Sequence, residues 1–214
     1  MGEVVLVRHG QANSTATTEE DYDRLSELGH KQARWLGEWM KEHDTSFDVV
    51  MSGTLRRQVE TLAGMGYADA PRDERLNEIA YYDLTAEMKE VLGLDRVSPD
   101  DFVTHFPTTL QAWKDGKING QETWQAFNDR IRAVFEMAQQ PGKRVLCVTS
   151  GGVIATAVAQ LLDLDIPKLA RIALPILNTS VHRVHVTDHG PFLASYNSTP
   201  HLDYADRVAD RTTY

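Results

Sequence analysis

Short apolar runs alternate with segments of helical periodicity along most of this chain. Residues 4–7, 47–52 and 144–150 are short, apolar and rich in β-branched residues, which is typical of strands buried on both faces. Each run precedes a segment with helical spacing of its apolar residues, at 26–43, 54–65 and 151–164. Because strands separated by helices tend to pair in parallel, the pattern predicts an α/β fold, a three-layer α/β/α sandwich with a mostly parallel central sheet.

The remaining segments complete this predicted domain. Residues 121–140 predict a long amphipathic helix, and residues 180–186 and 191–197 predict a hairpin around a short polar turn. Residues 73–79 predict a short extended piece. Residues 80–118 are less regular and predict a small helical insertion over one end of the sheet. No repeat or linker divides the chain, so we expect a single domain over all 214 residues.

The composition narrows the classes of function. Hydrophobic residues make up 42% of the chain, charged residues make up 25%, and the formal net charge is −9. An acidic chain repels nucleic-acid phosphates, so neither DNA nor RNA is an expected partner. No apolar stretch reaches the roughly 18 residues of a membrane span, and the N-terminus does not resemble a signal peptide. We therefore expect a cytoplasmic protein without membrane contact, and its one cysteine, Cys147, excludes an intramolecular disulfide.

Polar residues follow three of the predicted strands at the point where each strand ends. Arg-His-Gly at 8–10 follows the first strand, Ser52 ends the second, and Thr-Ser-Gly-Gly at 149–152 ends the third. In parallel α/β sheets, ligands bind beyond the carboxyl ends of the strands. We therefore expect these three groups to meet at one edge of the sheet and to form a binding site there.

The residue types at this edge indicate a phosphate site. Arg8, with one or both of the neighbours Arg56 and Arg57, offers planar cations that bind two phosphate oxygens at once. The predicted helix that opens with two glycines adds backbone N–H donors and a favourable dipole. Between these groups His9 is a candidate nucleophile or general base, and Glu78 is a candidate proton donor for a leaving oxygen.

In this order, the segments resemble the histidine phosphatase superfamily, also called the phosphoglycerate mutase-like family. LVRHG at 6–10 matches its N-terminal signature, and LSELGHKQA at 25–33 resembles its helix-opening pattern. SGTLRRQVET at 52–61 resembles the pattern S-x-x-L-x-R-A-x-x-T, and LNEI at 76–79 resembles the acid segment L-x-E. The resemblance covers most of the chain and places it on the phosphatase branch.

The resemblance implies a role for each candidate residue. Arg8 and Arg57, rather than Arg56, are implied to hold the phosphoryl oxygens, while His9 forms a phosphohistidine and Glu78 protonates the leaving oxygen. Neither a metal nor any other cofactor is implied. The expected activity is that of a phosphoric monoester hydrolase acting on a small phosphorylated molecule. No nucleic-acid or membrane partner is expected, and a homodimer is left open.

Several positions depart from the family pattern. Ser150 stands where the family has a second phosphate-binding histidine, so we expect Ser150 and Gly151 to form a weaker phosphate pocket. IAYYDL at 79–84 replaces a frequent G-x-W-x-G, which makes the leaving-group side unusual. An asparagine that some mutases place six residues after the nucleophile is Thr15 here, which weakens a mutase interpretation.

Two alternative functions stay open. A protein that binds phosphorylated ligands without catalysis would explain the loss of the second histidine at Ser150. Retention of a nucleophile at His9 and an acid at Glu78 argues against this alternative, since a binding protein needs neither. A phosphoglycerate-mutase-type phosphotransferase is the other alternative. It would need a bisphosphate to prime His9, whereas a phosphatase turns over without one.

Overall fold

A five-stranded sheet forms the centre of the protein. The computed structural model describes residues 1–13, 16, 19–43, 46–93 and 102–213. The sheet has the spatial order β2-β3-β1-β4-β5. The strands are β1 (Gly2–Arg8), β2 (Val49–Ser52), β3 (Arg144–Thr149), β4 (Val181–Thr187) and β5 (Gly190–Ser198).

The sheet is mixed, so the predicted α/β class is confirmed but a mostly parallel sheet is only partly right. Strands β2, β3 and β1 are parallel, with Cys147 between Met51 and Leu6 in the register. Strand β4 runs antiparallel to β1, and β5 runs antiparallel to β4. The reason is the path of the chain. The backbone N–H of Arg8 donates to the carbonyl of Ser180, so β4 starts where β1 ends and has to run back along it.

Helices surround the sheet and follow the predicted segments closely. They are α1 (Glu19–Tyr22), α2 (Glu27–Glu42), α3 (Arg56–Gly64), α4 (Tyr81–Leu92), α5 (Phe102–Lys114), α6 (Trp124–Glu136), α7 (Gly151–Leu161) and α8 (Ile166–Ala173). Ser26 caps α2, as its sequence indicates, by accepting from Gly29 N at 3.0 Å. Helices α1 and α8 were not predicted, and α1 lies in a segment that the sequence indicated to be a polar loop. No helix in the described part of the chain has the length and apolar character to cross a bilayer.

The side chains of β1 alternate between two separate cores. Val5 and Val7 pack with Leu36 of α2 and Leu62 of α3 on one face. Val4 and Leu6 belong to the core on the other face, which is built by α4 to α8. Because successive strand residues point to opposite faces, burial of the whole run requires a layer of helices on each side. The three-layer arrangement therefore follows from the apolar run itself.

The segments after β2 differ from the predictions in detail. Residues 74–76 form a turn of 3₁₀ helix rather than an extended piece, because Asp73 Oδ1 accepts from Arg75 N at 2.9 Å and closes the turn. The predicted insertion at 80–118 consists of the two longer helices α4 and α5, and Pro107 lies inside α5.

Candidate active site

His9 lies directly beyond the end of β1, at the carboxyl edge of the sheet. Its backbone N–H donates to Thr149 O at 2.9 Å, which joins the end of β1 to that of β3. In the ring, Nδ1 lies 2.8 Å from Gly10 O, and Arg57 Nε lies 3.3 Å from Nε2. We assign the proton to Nδ1, because a carbonyl oxygen only accepts and the Arg57 N–H only donates. Nε2 is then the unprotonated ring nitrogen, and its lone pair accepts the hydrogen bond from Arg57.

The surroundings of His9 favour its neutral form. Burial lowers the pKa of His9 well below its usual 6.5, and the positive charges of Arg57 and Arg8 lower it further. The ring is almost fully buried, with 2% of the residue exposed. At neutral pH the imidazole is therefore uncharged, which is the state a nitrogen nucleophile requires.

Arg57 is held in place by Asp23. Arg57 Nη1 donates to Asp23 Oδ1 at 2.8 Å, and Arg57 Cζ lies 5.3 Å from the ring centroid of Tyr22. Asp23 also accepts from the backbone N–H groups of Arg56 and Arg57, at 2.9 and 3.2 Å. It thereby caps α3, whose own N-cap residue, Leu55, has no capping side chain. Sequence analysis missed Asp23 because it lies in a polar loop without a motif.

The structure places Arg57, and not Arg56, against His9. The side chain of Arg57 is 7% exposed, whereas that of Arg56 is 64% exposed and pairs with Glu60 at 2.6 Å. Neighbours on a helix point about 100° apart, so only one of the two faces the sheet edge. The register implied by the family resemblance agrees with this geometry.

The backbone around His9 is fixed on both sides. Gly10 N donates to Thr61 Oγ1 at 2.9 Å, and Asn178 Nδ2 donates to His9 O at 3.1 Å. A side chain at Gly10 would bring its Cβ within 2.6 Å of Gly29 O, so only glycine fits between β1 and α2. Arg8 is also buried, and its guanidinium donates to the carbonyl of Ile176.

Glu78 faces the same cavity from the segment before α4. Its Oε2 accepts from Gly152 N at 3.1 Å, and its Oε1 accepts from Ile79 N at 2.9 Å. A Cβ at Gly152 would lie 2.4 Å from Glu78 Oε1. The second glycine of α7 is therefore the residue that lets the carboxyl group approach the helix N-terminus. Of the two glycines that open α7, the sequence analysis assigned only Gly151 to the phosphate pocket.

Ser150, predicted to belong to the phosphate pocket, has its hydroxyl group bonded to Gln58 in the structure. The residue is fully buried and does not line the cavity. Its Oγ accepts from Gln58 Nε2 at 2.8 Å, and the same Nε2 donates to Leu76 O at 3.0 Å. The family pattern has alanine at position 58, so a long amide here adjoins the short serine that replaces histidine. The glutamine within that pattern was the signal that the sequence analysis overlooked.

The predicted residues meet around one cavity of about 320 Å³. Its lining includes Arg8, His9, Arg57, Glu78 and Gly151. Ser150 is therefore the one predicted site residue that the structure leaves outside the lining. Thr15, the position used against a mutase interpretation, lies outside the described residues.

A cavity with a neutral histidine, two arginines and a carboxyl group can bind and transfer a phosphoryl group. The sequence profile of the histidine phosphatase superfamily, branch 1, matches residues 4–199. The chain belongs to this superfamily. Membership over nearly the whole chain confirms the family resemblance drawn from the separate segments. Membership of the family also agrees with the position of the His9 motif at the carboxyl edge of the sheet.

Several proteins named as phosphoglycerate mutases are similar to this superfamily member in sequence. A 2,3-bisphosphoglycerate-dependent phosphoglycerate mutase of Methylorubrum extorquens is 36% identical over 96 residues, which are 41% of this chain. The match spans 45% of that mutase, less than half of its length. A probable phosphoglycerate mutase of Salmonella paratyphi B is 27% identical over 193 residues, 86% of this chain and 85% of that protein.

Solved structures of phosphatases share the fold. A phosphoserine phosphatase from Entamoeba histolytica, in complex with 3-phosphoglyceric acid, superposes with a TM-score of 0.67 at 22% identity, covering 94% of this chain and 100% of that one. A mycobacterial glucosyl-3-phosphoglycerate phosphatase superposes with a TM-score of 0.62 at 24% identity, covering 93% and 100%. At such identities the likeness concerns the fold alone. The similar proteins thus include both mutases and phosphatases.

Proposed function

We propose that this member of the histidine phosphatase superfamily is a phosphomonoesterase that acts on a small phosphorylated molecule through a phosphohistidine on His9. The observation that carries the proposal is the state of His9 Nε2. This atom belongs to a buried neutral ring, accepts a hydrogen bond from Arg57 at 3.3 Å, and lies at the cavity that Glu78 also lines. A nucleophile, a cation and an acid thus share one cavity, as phosphoryl transfer requires.

The first step transfers the phosphoryl group to the protein. The lone pair of His9 Nε2 forms a bond to phosphorus as the bond from phosphorus to the leaving oxygen breaks. Protonated Glu78 gives its proton to that oxygen, which departs as an alcohol. Arg8 and Arg57 bind the phosphoryl oxygens and stabilise the charge they carry in the transition state. The hydrogen bond from Nδ1 to Gly10 O holds the ring while it gains positive charge.

The second step returns the protein to its starting state. The carboxylate of Glu78 takes a proton from water, and the water oxygen bonds to phosphorus as the P–N bond breaks. The electron pair of that bond returns to Nε2 of His9, and inorganic phosphate leaves. Backbone N–H groups from Ile79 and Gly152 hold the carboxyl group between the two steps.

The test is to trap the intermediate. Rapid quenching of the protein with a ³²P-labelled phosphomonoester should yield protein-bound phosphate that is stable to base and labile to acid. His9→Ala should remove this label and lower kcat by roughly 10³-fold or more, as loss of a nucleophile does. His189→Ala, in the exposed turn between β4 and β5, is the matched control and should keep both.

The outcomes also separate the alternatives. A wild-type rate in His9→Ala would refute His9 as the nucleophile. Activity that requires prior treatment with 2,3-bisphosphoglycerate, with interconversion of 2- and 3-phosphoglycerate, would favour a mutase, in line with the names of the sequence relatives. Tight vanadate binding without turnover of any ester in a broad panel would favour a binding protein.

A further inference from the structure

We propose that the cavity selects phosphomonoesters whose leaving group is apolar, preferably aromatic, and carries no negative charge. This inference rests on the proposed phosphomonoesterase function and names the substrate class of the same site. It comes from the part of the cavity wall that the phosphoryl group does not need. No assignment of the nucleophile or the acid depends on it.

The wall beyond the phosphoryl end is apolar and largely aromatic. The segment before α4, helices α4 and α5, and the C-terminal end of α8 bring together Ile79, Tyr81, Tyr82, Phe106 and Leu174. Ligand pockets of this size gain affinity mainly from apolar contact, with a few polar groups fixing the orientation. An aromatic ring next to the phosphate would bury its surface against these side chains, with edge-to-face contacts available to it.

Two of these rings are held in position before any ligand binds. Tyr81 Oη lies 3.1 Å from His105 Nδ1, and the Tyr81 and Phe106 rings have centroids 5.6 Å apart at an angle of 47°. Phe106 is 8% exposed, so its ring is fixed in the core. Tyr82, in contrast, is 40% exposed and stands at the edge of the cavity. A ring-shaped leaving group therefore meets a preorganised surface.

The charges of the wall disfavour an anionic leaving group. Among the described residues, the lysines and arginines that line the cavity are Arg8 and Arg57 alone. Arg57 already bonds to Asp23 and His9, and both cations belong to the phosphoryl end. Glu78 adds a carboxyl group on the leaving-group side. Glu78 is neutral in the first step, so a carboxylate on the substrate would be desolvated against apolar side chains without a cation of its own.

This charge pattern does not suit the ligands that are named for one of the structural relatives. Phosphoserine and 3-phosphoglyceric acid, bound by the Entamoeba histolytica phosphatase, both carry a carboxylate beside the phosphate ester. Here the segment IAYYDL, which departs from the family pattern, places Ile79 and the two tyrosines in the wall. The departure of IAYYDL from the family pattern favours an uncharged leaving group. The lack of a cation other than Arg8 and Arg57 in the described lining favours the same class of substrate.

The experiment compares two esters that differ by one carboxylate. Benzyl phosphate and 4-carboxybenzyl phosphate have leaving oxygens of nearly equal basicity, so the chemical step is matched. We expect kcat/KM to be about tenfold or more higher for benzyl phosphate, because the carboxylate lacks a partner. Equal values, or preference for the carboxylated ester, would overturn the inference.

Charge variants then test the wall itself. Tyr82→Arg puts a cation at the cavity edge and should reduce the preference for benzyl phosphate by roughly tenfold. Val91→Arg adds the same charge to the same helix, at a residue that is 57% exposed and outside the cavity, and should leave the ratio unchanged. An unchanged ratio in Tyr82→Arg, or an equal change in Val91→Arg, would contradict the inference.

A binding measurement separates this inference from the proposed function. Benzylphosphonate and 4-carboxybenzylphosphonate have no cleavable ester, so calorimetry on the wild-type protein reports their affinities without turnover. We expect about tenfold tighter binding of benzylphosphonate. If neither ester is hydrolysed but this order of affinities holds, the proposed catalysis fails and the inferred selectivity stands. If the esters are hydrolysed but the order reverses, the selectivity fails and the catalysis stands.

Discussion

At the scale of single residues, the site is a set of buried groups whose partners define their chemical state. Burial and two arginines keep His9 neutral, and Gly10 O orients its ring. Asp23 fixes Arg57 and also caps the helix that carries it. Two backbone amides hold Glu78 at the N-terminus of α7. Each role depends on a neighbour, so substitutions should act on a defined part of the reaction.

Glu78→Gln should harm poor leaving groups most. An alkyl alkoxide needs a proton as it departs, whereas p-nitrophenolate leaves largely unaided. We expect kcat/KM for an alkyl phosphate to fall by roughly 10²-fold or more, with a much smaller loss for p-nitrophenyl phosphate. Arg56→Gln, on the exposed side of α3, serves as the control and should alter neither rate strongly. Equal losses on both substrates in Glu78→Gln would show that the carboxyl group only positions other residues.

At the scale of elements, the C-terminal segment is connected to the catalytic loop. Asn178 N donates to Thr212 O at 2.7 Å, and Thr212 Oγ1 donates to Asn178 Oδ1 at 2.8 Å. Asn178 in turn donates to His9 O. Gln32 of α2 adds bonds to Asp210 O and to Thr212 Oγ1, at 2.8 and 3.1 Å. The end of the chain thus supports the loop that holds the nucleophile.

Thr212→Val should loosen this support. The change keeps the shape of the side chain but leaves the Oδ1 of Asn178 without its donor and removes an acceptor from Gln32. We expect the free energy of unfolding, measured with urea, to fall by about 1–3 kcal/mol. Thr108→Val removes a hydroxyl that bonds Thr104 O on the exposed side of α5, and should cost less. Equal losses in the two variants would indicate that the connection to His9 adds no stability.

At the scale of the whole molecule, buried neutral histidines link stability to pH. Burial lowers the pKa of His182 and of His201 from 6.5 to about 3, and the pKa of His9 also lies well below 6.5. The unfolded chain therefore binds more protons than the folded protein below pH 6.5. By linkage, stability is complete above this pH and is lost as the pH falls from 6.5 toward the folded pKa values.

Acid should therefore unfold the protein steeply. His182 and His201 together give a limiting slope of about 3 kcal/mol per pH unit in urea unfolding experiments between pH 6 and pH 4, and His9 adds to this slope. His182→Gln removes one of these histidines and should lower the slope by about 1.4 kcal/mol per pH unit. His189→Gln, at an exposed turn, is the control and should keep the slope. A stability that does not change between pH 7 and pH 5 would contradict neutral buried histidines.

The sequence by itself determined the parts of this protein that depend on local pattern. Apolar runs located β1, β2 and β3, because a strand buried on both faces needs an unbroken apolar stretch, and the hairpin pattern around a polar turn located β4 and β5. Helical spacing located α2, α3, α6 and α7, and Ser26 marked the start of α2. Motif order gave the family and chose Arg57 over Arg56. These features can be predicted from the sequence because apolar spacing, helix capping and motif register each involve residues that are close together along the chain.

Only the tertiary structure decided which distant residues meet. Asp23 and Arg57 are 34 positions apart, Gln58 and Ser150 are 92 apart, and His9 and Asn178 are 169 apart. The spacing of apolar residues indicates which faces of a segment are buried, but not which other segment packs against those faces. The antiparallel β4, the burial of Ser150 away from the cavity and the aromatic wall from α4 and α5 all depend on how loops route the chain. The path of each loop is determined by the packing of the whole molecule, because a loop connects elements whose positions depend on all the other elements.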